Sequence, residues 1–220
     1  MLLVLGSALD DEPSMLVRRW RRAGRNAAVV TPADLSRPGW RLRCGHPAES
    51  SAALAGCVLA GPDIEGIVSA LAVVSPYELA HIAGSDRDYV AQEMSAFLLA
   101  WMTELACPVI DRPTALSLAG CGRSRYEWAA IAHREEIGAD PLWSGETIGV
   151  TVVGGCATGS SRDSPLAAAA VIIAAAAGRS LVTLRFAEGA ASPTVVGADA
   201  RPEIGDDAAA DALLAWFDQQ

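Results

Sequence analysis

Apolar and polar positions along this chain follow two periods. Short unbroken apolar runs, bounded by glycine, proline or polar residues, predict strands at residues 2–5, 27–30, 57–60, 64–68, 109–110, 150–153, 181–186 and 193–198, those at 2–5 and 109–110 buried, with 41–44 as an edge strand. Apolar residues spaced three and four apart predict helices at 14–23, 85–107, 125–136 and 206–217. Shorter helices are expected over 75–82 and 114–118. The run 165–177 lies between Ser164-Pro165 and Gly178, a start and stop pair for a buried helix. A loop is expected over 138–145.

The helix over 85–107 organises the rest. Ser85 or Asp86 is placed to cap it, because a short side-chain oxygen accepts a free backbone N–H there. Val90, Met94, Phe97, Leu98, Trp101 and Leu105 form its apolar stripe, which contributes roughly 10–15 kcal/mol gross on burial, before entropy. Cys107-Pro108 ends it, since proline lacks the N–H and disfavours helix in the residue before it. Pro113 suits a first helical position after the turn at Asp111-Arg112.

The strand–helix–strand start predicts a parallel sheet with a right-handed crossover. Near residue 145 charge and aromatics thin out, and alanine, glycine and valine dominate. The expected fold class is α/β: a mostly parallel, Rossmann-like sheet with flanking helices over 1–115, a helical connector over 116–145, and a small α+β lobe over 146–220. Strands 181–186 and 193–198 form a hairpin in that lobe.

Composition narrows the chemistry. A 51% hydrophobic and 20% charged chain of 220 residues buries a sizeable core. Net charge −9 argues against nucleic-acid binding. All 17 basic residues are arginine, so no side chain supplies an ammonium group. The longest apolar run is too short to span a bilayer, so no membrane segment is expected. Met1–Leu5 is too short for a signal sequence, and Cys44, Cys57, Cys107, Cys121 and Cys156 form no CxxC pair. Free thiols and a cytoplasmic location follow as expectations.

Local motifs exclude more than they assign. The loop Gly6-Ser7-Ala8-Leu9 lacks the GxGxxG of a dinucleotide turn. Arg18, Arg19, Arg21, Arg22 and Arg25 form either a phosphate or acidic-partner patch or a solvated helix face with Leu16, Val17 and Trp20 turned inward. The acidic whole favours the solvated face. Cys44-Gly45-His46 is the only close Cys/His pair, and with only His81 and His133 besides, no metal site is expected. Residues 154–161 (GGCATGSS) resemble a phosphate loop, but without Gly-Lys-Ser/Thr a flexible connector is the stronger reading.

Asp86-Arg87-x-Tyr89-x-x-x-Glu93, Pro108-Val109-Ile110-Asp111-Arg112-Pro113-Thr114, Leu118-x-Gly120 and Trp128 together resemble the ATP-grasp superfamily, in the form with a preceding pre-ATP-grasp domain found in natural-product and peptide-modification pathways. Asp111 departs from the usual Asn-Arg-Pro. The tail is similar to the end of an ATP-grasp core, with Asp199-Ala200-Arg201-Pro202 where Asn-Pro-Arg-Pro is common. The resemblance implies that the central nucleotide-gripping module has no counterpart between Leu142 and Val150. It also implies lost metal ligands: Arg185 stands near an expected acidic ligand, Gly197 where a second glutamate belongs, and Asp199 in place of the asparagine. Phosphoryl transfer needs magnesium and positive charge around the β and γ phosphates, so ATP and Mg are not expected as cofactors.

The resemblance thus implies a degenerate ATP-grasp chain. The leading expectation is a non-catalytic accessory protein of a peptide or natural-product pathway, binding a partner enzyme, a peptide or a second copy. Self-association as a homodimer is suggested by the apolar tail. One alternative is a small-molecule enzyme reusing the former cleft, with a carboxylate held by Arg112, Arg123, Arg185 or Arg201. Glu93 or Asp199 then does acid–base work, or Cys156 acts as a nucleophile. The other is an ATP-dependent carboxylate–amine ligase completed by another chain. Tyr89 and Glu93, one helical turn apart, either fix a loop or line a ligand groove.

Overall fold

In the computed structural model of the chain, residues 1–54, 56–120, 122–159 and 164–220 are described. The chain divides into two units, Met1–Gly120 and Cys121–Gln220. The second therefore includes residues 121–145, expected above as a connector.

The first unit runs β1 (Leu2–Leu5), α1 (Glu12–Arg22), β2 (Ala27–Val30), β3 (Ser51–Leu54), β4 (Cys57–Ala60), β5 (Gly66–Ser69), α2 (Arg87–Glu104) and β6 (Val109–Ile110). Four of these form an all-parallel sheet in the order β2-β1-β5-β6, with Leu2 opposite both Ala27 and Gly66 and Ile67 opposite Val109. β1 is buried along its whole length, as the uninterrupted Leu-Leu-Val-Leu run requires of a strand covered on both faces. β3 and β4 make a separate antiparallel hairpin.

On α1, Leu16, Val17 and Trp20 are buried while Arg18, Arg21 and Arg22 are exposed, and the Arg21 Nε donates to the Ala27 carbonyl at 2.8 Å. α2 buries Leu98, Trp101 and, at its C-cap, Leu105, with Val90, Met94 and Phe97 half-buried against the same core. Trp40 meets Trp101 edge-on, ring centroids 5.1 Å apart at 74°.

The second unit runs α3 (Arg125–Arg134), β7 (Gly138–Ala139), β8 (Thr147–Val153), β9 (Cys156–Ala157), α4 (Pro165–Ala176), β10 (Leu181–Ala187), β11 (Thr194–Ala198) and α5 (Asp207–Phe217). Its sheet has the order β7-β11-β10-β8-β9, antiparallel except for β7 beside β11. Trp128 and Ile131 of α3 and Ala170 and Ile173 of α4 share a core with Val150, Val152, Val182, Leu184 and Phe186. The helix starts are capped: the hydroxyls of Ser124 and Ser164 and the carboxylate of Asp206 accept backbone N–H groups.

Several local expectations are corrected. Residues 114–118 are not helical. The Thr114 hydroxyl accepts from the Leu116 and Ser117 N–H groups, and Thr114 and Ser117 pair as a β-bridge, so a local side-chain bond outcompetes the helix. The long helix is not capped by Ser85 or Asp86. The Ser85 hydroxyl donates to the Asp86 carboxylate, and the Arg87 guanidinium ties the preceding loop by donating to the carbonyls of Ile82 and Ala80. Residues 41–44 reduce to one bridge between Arg41 and Ser51, and the helix expected over 75–82 to a 3-10 turn at Pro76–Glu78. The loop at 138–145 begins with β7. Residues 154–157 form a tight hairpin, with Gly154 and Gly155 at φ +57° and +83°, the left-handed pair a two-residue turn needs. Residues 160–161 of the GGCATGSS motif, the following 162–163, and Cys121 lie outside the described residues. No helix among the described residues is long and apolar enough to cross a membrane.

Candidate functional site

A charge cluster of the tail forms on the second sheet. Side chains alternate along a strand. Since Val182, Leu184 and Phe186 of β10 face the α3/α4 core, Thr183 and Arg185 lie on the opposite face. There the Thr183 and Thr151 hydroxyls share a hydrogen bond of 2.7 Å, and Thr183 Oγ1 also accepts from the Glu203 N–H at 2.8 Å. The Asp199 N–H donates to the Thr183 carbonyl at 2.9 Å. Residues 199–203 are thus drawn back over β10.

Arg185 lies between glycines, opposite Gly149 on β8 and Gly197 on β11. Its Nε donates to Asp199 Oδ1 at 2.9 Å, and its Nη2 to Asp199 Oδ2 at 2.6 Å and to Glu203 Oε1 at 2.5 Å. The two-point contact with Asp199 matches the planar fork of a guanidinium to a carboxylate. The hydrogen bond to Asp199 and the charges of Asp199 and Glu203 hold Arg185 above the usual guanidinium range. A Cβ at Gly149 would lie 2.7 Å from Arg185 Nη1, so the glycine is what lets the guanidinium lie across β8. A Cβ at Gly197 would meet Arg125 Cγ at 3.1 Å, so a larger residue there needs the Arg125 side chain to give by a few tenths of an ångström.

The other predicted residues are dispersed. Arg201 is exposed on the same segment as Glu203. Arg123 lies over the Trp128 ring at 5.6 Å, a cation–π contact. In the first unit, Arg112 is exposed. Tyr89 is 66% exposed on α2, and Glu93 beside it is exposed too. Glu203 escaped sequence reading, although it is the next carboxylate after Asp199 and a guanidinium has donors for two. The GxGxxG-less loop after β1 holds a carboxylate of its own: Glu78 accepts from the Ser7 hydroxyl at 2.9 Å and the Ala8 N–H at 2.7 Å. Among the described residues, no group of three His, Cys, Asp or Glu side chains is placed to hold a metal ion.

Cys44, Cys57, Cys107 and Cys156 are free thiols. Burial pushes the Cys107 thiol up to about 11, against the opposing pull of a backbone hydrogen bond and of Arg112. At pH 8 its thiolate fraction is lower than an ordinary thiol's by roughly a hundredfold, so mass spectrometry should find Cys107 alkylated last by iodoacetamide, well behind the exposed Cys44, Cys57 and Cys156. Equal rates at all four would refute the burial assigned to Cys107.

Cys156 lines a cavity of about 550 Å³ between the β8–β9 hairpin and α5, with Thr158, Asp211, Ala215, Trp216 and Gln219 among its other walls. Gly154 admits the Trp216 ring: a Cβ there would lie 2.6 Å from Trp216 Cδ1.

No protein-family model matches the chain, and no curated protein matches it in sequence. Solved structures do match. The ATP-grasp ligase PsnB, in complex with a phosphomimetic precursor variant, Mg and ADP, superposes with TM-score 0.65 at 14% identity over 98% of this chain and 97% of its own. The macrocyclase MdnC of Microcystis aeruginosa, bound to its precursor peptide MdnA, gives 0.70 at 9% identity over 100% and 99%. A RiPP-associated ATP-grasp ligase of Chryseobacterium gregarium, with ADP and a leader and core peptide, gives 0.69 at 7% identity over 99% and 96%. At these identities the likeness is one of fold: the chain has the fold of these ATP-grasp ligases.

Proposed function

We propose that this chain is a non-catalytic, ATP-grasp-like accessory protein that binds a peptide, or an enzyme of a peptide-modifying pathway. The observation that carries the reading is the Arg185 guanidinium held between Asp199 and Glu203. Carboxylates that would have to draw a divalent cation onto ATP phosphates are already neutralised by a fixed internal cation, and the same arginine would have to be displaced before any metal entered. Two further features support it. The chain has no lysine to meet a triphosphate, and only residues 135–146 separate α3 from β8. The peptide partner is an extension from PsnB, MdnC and the Chryseobacterium ligase, each solved with a precursor or a leader and core peptide.

The test is thermal unfolding and phosphate release with ATP and Mg. A ligand at about a hundred times its Kd stabilises a protein by about 2.7 kcal/mol, so binding of ordinary affinity gives a clear rise in melting temperature at millimolar ATP. The expected result is no Mg-dependent rise and no phosphate above the blank. A saturable, Mg-dependent rise overturns the proposal.

A further inference from the structure

We infer that the turn after β1 is a carboxylate seat that the chain keeps filled with its own Glu78, so that an external carboxylate enters only by displacing that side chain. The inference concerns the first unit alone and is independent of the accessory reading above.

Topology sets the place. The sheet order β2-β1-β5-β6 sends the chain from β1 outward to β2 and then back across to β5, so the strand order reverses between β1 and β5. In open parallel sheets, ligands bind at such a reversal, in the crevice outside the carboxyl ends of the strands. Ser7 and Ala8 lie there, directly beyond Leu5 and Gly6. Gly6 lets the turn close on the start of α1, since a Cβ there would collide with the Pro13 ring.

The donors suit two oxygens. The Ala8 N–H donates to Glu78 Oε2 at 2.7 Å, and the Ser7 hydroxyl to Oε1 at 2.9 Å. The Leu9 N–H donates to Ser7 Oγ at 3.0 Å, which leaves the hydroxyl proton for the carboxylate. Hydrogen bonds to a charged acceptor are among the stronger ones. Further along the turn, the Asp10 carboxylate accepts from the Glu12 N–H at 3.1 Å.

Glu78 arrives on a strap, the 3-10 turn Pro76–Glu78 and the residues after it. Leu79 is fully buried, Arg87 donates to the carbonyls of Ala80 and Ile82, and His81 Nε2 shares a 2.7 Å hydrogen bond with Ser36 Oγ in the segment after β2. With the backbone tied at these points, the Glu78 side chain alone opens or closes the seat. Ala8 is exposed and Glu78 half-buried, so an incoming carboxylate and a displaced one both meet solvent.

The test is chemical rescue in the full-length chain. Glu78→Ala removes the atoms of an acetate group, and acetate is the probe. In nitrogen-15 NMR at neutral pH the Ala8 amide of the variant should shift saturably with acetate, while chloride at the same ionic strength leaves it unmoved. Glu78 competes from within the chain, so holding the seat about nine-tenths of the time or more makes the parent bind acetate at least about tenfold more weakly. Ser7→Ala in the Glu78→Ala background should weaken acetate binding by about tenfold or more, the worth of one hydrogen bond to a charged group. Glu78→Gln, equal in shape and weaker as an acceptor, should give the same gain on a smaller scale, and it carries the comparison if the alanine variant does not fold. An Ala8 amide that ignores acetate in both variants, that shifts equally in the parent, or that chloride moves as far, overturns the seat. None of these outcomes bears on the ATP test of the accessory reading.

Discussion

Trp101→Ala should destabilise the first unit by about 3–5 kcal/mol, the cost typical of deleting a large aromatic from a closed core. Trp101 is fully buried in a cluster with Leu98, Met102, Leu71 and Leu79, and its indole meets Trp40 edge-on. Trp101→Phe is a sharper probe. It keeps an aromatic ring and deletes an indole N–H that has no hydrogen-bond partner, so it loses no hydrogen bond and should cost only about 1–2 kcal/mol. Hydrogen exchange read by mass spectrometry is the suitable measurement, because it reports each unit separately. Protection should fall across Met1–Gly120 in the alanine variant and hold in Cys121–Gln220. A loss below 1 kcal/mol would mean that Trp101 does not anchor this core.

That core was readable in advance because burial on both faces leaves an unambiguous mark. β1, β2 and β6 lie at the limits their apolar runs suggest, and the stripe on α2 turns Leu98 and Trp101 inward, whereas β4 matches its run in position but is exposed. Where a feature depends on one side chain choosing between two backbone partners, pattern reading fails. Thr114 looks like a helix start after Pro113, yet its hydroxyl takes the Leu116 and Ser117 N–H groups and closes a turn. β7 has no apolar signal at all: Gly138 and Ala139 are a strand only because β11 offers backbone to pair with.

The charge cluster divides along the same line. Arg185 and Asp199 each stood out singly in the sequence, the one on β10 and the other directly after β11. Glu203 did not, because its approach depends on the chain after β11 folding back so that the Glu203 N–H reaches Thr183. Gly149 was invisible for a related reason: its meaning lies in a guanidinium that crosses it from the next strand.

Arg185→Ala is the variant that asks most of this cluster. Removing the guanidinium leaves Asp199 and Glu203 facing the space from which one nitrogen held them both. The side chains are 27–47% exposed, so solvent screens part of the repulsion, and the expected loss lies between the surface and buried limits, about 1–2 kcal/mol at neutral pH. Arg185→Lys should recover part of the loss, since an ammonium restores the charge but cannot form the two-point contact with Asp199. The vacated seat has a second consequence. Nη2 lies 2.6 and 2.5 Å from oxygens of the two carboxylates, close to the Ca–O distance of about 2.3–2.6 Å. Calcium should therefore stabilise Arg185→Ala while leaving the parent chain unchanged, a difference visible in paired thermal melts with and without the ion. Were calcium to stabilise both proteins equally, or neither, the guanidinium would not be what occupies a cation's place in this fold.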